Sequence, residues 1–150
     1  MNIFTRIEKD HEAQRGLMER IIATEGSSKE REELFAEFCV EFLAHAAAEE
    51  HAFYAEMLKH EETTNQSRHS VAEHSSAIEL IEKLKKTDMS SAAWLVTFKA
   101  LAHENEHHMK EEEDDVFPLV KKELNDATIE KMLAVFNERK EQEQSSVGSD

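Results

Sequence analysis

His45 and Glu49 stand four residues apart, and His108 and Glu112 repeat that spacing 63 positions later. Each pair is followed at once by a second glutamate and, after three more residues, by an aromatic: Glu50 and Tyr54 in the first copy, Glu113 and Phe117 in the second. His11 and His74 are separated by the same 63 positions. A histidine and a glutamate at i and i+4 share one helical face, so each pair can reach one point beside its helix. Four imidazoles and two carboxylates, with no thiolate among them, suit iron, manganese or zinc better than copper(I) or an iron–sulfur cluster. Six side chains are too few to saturate two octahedral ions and too many for one tetrahedral zinc. Carboxylates bridge, so the economical reading is two metals spanned by Glu49 and Glu112, with exchangeable positions left for a small ligand. A lone inward histidine is more often a core residue than a ligand. An inward glutamate is harder to dismiss, because burying an unpaired carboxylate costs several kcal/mol.

These residues need long helices to carry them, and the composition supplies them. The chain has 150 residues with 3 Gly, 1 Pro and 34% charged residues, which favours long helices with few turns. Apolar residues recur at helical spacing over about 3–24, 29–60, 66–86, a stretch from about 91, and 127–142. Ser27 with Glu30 reads as a capping box, Asp88 or Ser90 as a later N-cap, and Glu61 to Ser67 as a polar gap. Pro118 predicts a kink or a helix end. Short connections between long helices favour an all-α, up-down-up-down four-helix bundle with an additional short C-terminal helix. The domain spans residues 1–143, and 144–150 reads as a disordered tail. Counted from the end holding the turns near 26 and 88, the four histidines lie about 14 to 20 residues away, so they meet within about 9 Å of one level.

The net charge of −15 argues against nucleic acid and against anionic membranes as partners. No apolar run approaches a membrane span, and the N-terminus is too charged for a signal peptide. One cysteine, Cys39, rules out an internal disulfide and fits a cytoplasmic setting. The remaining candidates read as lesser ones. His51, His60, His69, His103 and His107 point away from the ligand line and read as solvated surface. Glu50 and Glu113 fall about 140° from it and read the same way. Glu41 and Glu104, each four residues before a motif histidine, are candidates for supporting or entrance roles. Arg15 and Tyr54 could orient ligands or line a route inward.

Asp10-His11-Glu12, His45-x3-Glu49-Glu50, Glu73-His74, and His108-x3-Glu112-Glu113 followed by Val116-Phe117-Pro118 resemble the hemerythrin-like, or HHE cation-binding, domain family over about residues 1–122. The resemblance implies a four-helix bundle holding two iron ions in a non-haem centre with an oxo or hydroxo bridge. The implied ligands are His11, His45, Glu49, His74, His108 and Glu112, with both glutamates bridging. Oxygen-carrying members have a fifth histidine on the third helix, where this chain offers Ser70 or Ile78. The set is closer to di-iron domains of iron–sulfur-cluster repair, nitric-oxide stress and peroxide handling. The expected function is therefore a non-haem di-iron protein that binds or reduces O2, peroxide or nitric oxide, in stress or iron homeostasis. A non-enzymatic sensor or storage module is the alternative, with a structural zinc bundle behind it; zinc or manganese could replace iron. Electron donor and protein partner stay open.

Overall fold

A computed structural model describes residues 1–148, and every regular element among them is helical. Helix α1 covers Ile3–Ile22 and starts with a reciprocal capping box between Asn2 and Thr5. Gly26, at φ 57°, turns the chain in the left-handed region open to glycine. Helix α2 (Lys29–Glu49) is capped by Ser28, one residue after the expected Ser27. It passes into a π-helical turn (Glu50–Tyr54) and a last turn at Ala55–Met57. Helix α3 spans Glu61–Lys85. Helix α4 (Ala92–Glu111), capped by Ser91 and not by Asp88 or Ser90, runs through a second π-helical turn (Glu112–Val116) into Phe117–Glu123. Helix α5 is Asp126–Gly148.

Three further expectations change. The polar stretch from Glu61 to Ser67 is the start of α3, not a gap. Its buried hydroxyls are satisfied by the end of α2: Thr63 donates to the Met57 carbonyl at 2.6 Å and Ser67 to that of Tyr54 at 2.9 Å. Pro118 neither ends the fourth helix nor acts alone, because the same π-helical turn forms in α2, where Ala55 stands at the equivalent place. The proline sits in the first turn of the following α segment, where its missing N–H matters least. The last helix is long and continues through residues 144–148, part of the stretch read as a disordered tail; Ser149 and Asp150 lie outside the described residues.

Helices α1 to α4 form the bundle, and α5 packs along α2, its π-helical turn and α1. The core falls into two apolar clusters. One, toward the α1–α2 and α3–α4 turns, holds Ile21, Phe38, Ile81, Trp94 and Phe98. The other, at the opposite end, holds Ile3, Ile7, Phe53, Phe117 and Phe136. Between them, on all four bundle helices, the buried residues turn polar: His11, His45 and Glu49, His74, and His108 and Glu112. Two dry layers thus enclose one ionisable layer. No helix among the described residues is long and apolar enough to cross a membrane.

Candidate metal centre

The six side chains singled out in the sequence meet in this layer, and each is at most 5% exposed. His11, His45, Glu49 and Glu112 bring donor atoms within 4.8 Å of one another, as do Glu49, His74 and His108. Glu49 belongs to both groups. Its Oε2 lies 3.2 Å from His45 Nε2, and its Oε1 lies 3.0 Å from His74 Nε2 and 3.8 Å from His108 Nε2. Glu112 Oε1 lies 2.9 Å from His11 Nε2 and 3.7 Å from His108 Nε2, while Tyr54 O–H donates to Oε2. All four ε-nitrogens therefore face inward on two carboxylates.

The δ-nitrogens all face outward onto another carboxylate. His11 Nδ1 is 2.7 Å from Glu113, His45 Nδ1 2.7 Å from Asp10, His74 Nδ1 3.1 Å from Glu50 and His108 Nδ1 2.9 Å from Glu73. An ionised carboxylate only accepts, so the Nδ1 proton stays there and Nε2 is the nitrogen left to meet a cation. Glu50 and Glu113 are thus not the solvated residues their helical angle suggested. A side chain turned away from the bundle axis points into the seam with a neighbouring helix, and there it meets the single histidine of α3 or α1. Asp10 and Glu73, also 63 positions apart, play the same part for His45 and His108.

The outer carboxylates differ between the two halves. Glu113 is held in a two-pronged pair by Arg15, at 3.1 Å on each oxygen. Asp10 accepts from Arg6 and Lys140, each at 2.6 Å, and Lys140 also reaches Glu41 at 2.8 Å. Among the described residues, Glu50 and Glu73 have no lysine or arginine within ion-pair distance, and Glu73 meets His69 at 3.6 Å. This second half borders a cavity of about 520 Å³ between α3 and α4, lined by His74, His108, Phe42, Glu73 and Glu104 among others. Arg15, Tyr54 and Glu41 therefore support the layer, and Glu104 lies at its opening. Ser70, in one of the places where an oxygen carrier has its extra histidine, is buried and accepts from Gln66 at 3.2 Å.

The electrostatics fit a cation. Burial opposes charge on the imidazoles, yet Glu49, Asp10 and Glu112 outweigh it: His45 is pushed up to about 10, and His11, His74 and His108 are also raised. Glu49 is held well below the usual carboxylate range, against the effect of burial, by the histidines around it. Both Glu49 oxygens and His108 Nε2 are nevertheless buried without a well-aligned hydrogen bond, the imidazoles standing beside Glu49 at ion-pair distance only. Such orphans are costly unless something positive meets them. Nitrogen and carboxylate donors at this spacing suit a divalent transition ion.

The hemerythrin HHE cation binding domain model matches residues 2–120. The crystal structure of a hemerythrin HHE cation binding domain-containing protein from Mycobacterium kansasii superposes with a TM-score of 0.85 at 25% sequence identity, covering 97% of this chain and 89% of that one. No curated protein sequence matches. With the matched model spanning all four bundle helices and the His/Glu layer between them, the chain belongs to the hemerythrin HHE cation-binding domain family.

Proposed function

We propose that this chain holds two iron ions, with His11, His45, His74 and His108 as nitrogen ligands and Glu49 and Glu112 as bridging carboxylates, and that it binds or reduces a small oxidant. The observation that carries this reading is the pairing at each histidine: Nε2 aimed at the two central glutamates, Nδ1 anchored by an outer carboxylate. Two irons in such a centre supply reversible one- and two-electron chemistry toward O2, peroxide or nitric oxide. The protein's own residues do the rest. The two apolar clusters exclude water from the layer, Tyr54 holds one oxygen of Glu112 through its hydroxyl proton, and the cavity beside His74 and His108 gives a small molecule its approach. The test is anaerobic reduction of the iron-loaded protein followed by O2, peroxide or nitric oxide in separate mixes. A visible-spectrum change with at least one oxidant supports the reading; none with any of them refutes it.

A sensing role is the second reading, and Lys140 favours it. This buried residue of α5 bonds Asp10, which in turn bonds His45, so the last helix is wired to the metal layer. Hydrogen exchange in α5 that changes between oxidised and reduced protein, without turnover, would select sensing over catalysis.

A further inference from the structure

Outside the buried layer, the seam between α3 and α4 carries another group of metal-capable side chains. His69 and Glu73 stand at i and i+4 on α3, and Glu111 faces them from α4. Their donor atoms all lie within 4.8 Å of one another. His69 Nε2 is 3.2 Å from Glu111 Oε1 and 3.6 Å from Glu73 Oε1. His107, one turn before Glu111, stands 3.5 Å from its other oxygen. Glu111 is aimed by Gln66, whose amide donates to Oε1 at 3.0 Å. The side chains of Glu73 and Glu111 are only 22% and 17% exposed, and among the described residues neither has a lysine or arginine within ion-pair distance. Two half-buried carboxylates held close together, balanced only by imidazoles, favour a divalent ion over solvent. His69, Glu73 and His107 also line the cavity whose inner wall includes His74 and His108. Glu73 belongs to both places, since its Oε1 accepts from His108 Nδ1 at 2.9 Å.

We propose that His69, Glu73 and Glu111, with His107 beside them, form a separate solvent-facing site for a divalent transition cation at the mouth of the cavity that reaches the buried centre. The donor set is one imidazole and two carboxylates, with a second imidazole in reach and the outer positions open to water. Such a site takes Zn2+, Fe2+ or Mn2+ more weakly than the buried layer, because water competes for it.

Zn2+ is the probe. The full chain is first saturated at its buried centre, with iron or with whichever metal fills it, and is then titrated with Zn2+ calorimetrically, with elemental analysis of both metals afterwards. One further Zn2+ per chain is expected, with the first metal retained in full. His69→Ala and Glu111→Gln should each weaken that event at least about tenfold while leaving the buried content intact. His51→Ala, at an exposed histidine outside the seam, should leave it unchanged. Zn2+ binding that survives both seam substitutions is an adventitious ion only and overturns the proposal. So does a wild-type chain that takes no further Zn2+, or a loss caused by His51→Ala. Displacement of the first metal by Zn2+ assigns the event to the buried layer and counts against the proposal as well.

Discussion

Each central histidine has its outer nitrogen fixed by a carboxylate, and these outer fixings are what the residue pattern hid. The inner six were legible because their spacing repeats and their phase falls on the apolar stripe. The helical angle of Glu50 and Glu113 refers to the bundle axis alone, but a bundle helix has two seams, and a long carboxylate about 140° from the ligand line reaches one. The signal existed: Asp10 with Glu73, and Glu50 with Glu113, keep acidic character at the same 63-residue offset as the ligands. Glu113→Ala should therefore weaken metal binding about 10- to 100-fold, read by chelator competition, although Glu113 touches no proposed metal position. Glu112→Ala removes a proposed bridge, so metal content should fall and the melting temperature of the loaded protein should drop; unchanged content would contradict bridging. The raised His45 gives a sign for pH. Its contribution to the stability of metal-free protein is full below 6.5, the ordinary value, and is lost as pH rises through about 10. Melting of metal-free protein should thus weaken from pH 7 to 10, and melting of loaded protein should not, since metal then carries the positive charge.

At the scale of elements, the apolar periodicity located the four bundle helices, but their ends depended on partners far along the chain. Glu61 to Ser67 read as a gap because polar residues without an apolar stripe look like loop. Thr63 and Ser67 are buried there only because the π-helical turn and last turn of α2 offer carbonyls. The π-helical turns themselves have no single-residue signature; one precedes a proline and the other does not. Helix α5 matters beyond its packing, through Lys140. Lys140→Met should destabilise the fold by about 3 kcal/mol in urea unfolding, near the low end for breaking a buried pair, because Arg6 still accompanies Asp10. It should also loosen metal at the His45 half, and a variant with unchanged stability and affinity would show that α5 merely leans on the bundle.

Across the whole molecule, the layer is dry above and below and asymmetric from side to side. Arg6, Arg15 and Lys140 close the His11–His45 half, whereas the His74–His108 half carries less positive charge and borders the cavity. That difference was not legible, since the 63-residue repeat makes the halves look equivalent. It predicts one side of approach: Ala72→Trp, an exposed position lining the cavity, should slow oxidant reaction several-fold without changing metal content. An unchanged rate would place the approach elsewhere. The central claim is tested most directly by elemental analysis with a visible spectrum on protein expressed in iron-replete medium and taken through reduction and reoxidation. Two irons per chain, with a spectrum that changes on oxidation, is the predicted result. A single zinc per chain, or two irons lost from neither Glu49→Ala nor Glu112→Ala, would contradict it.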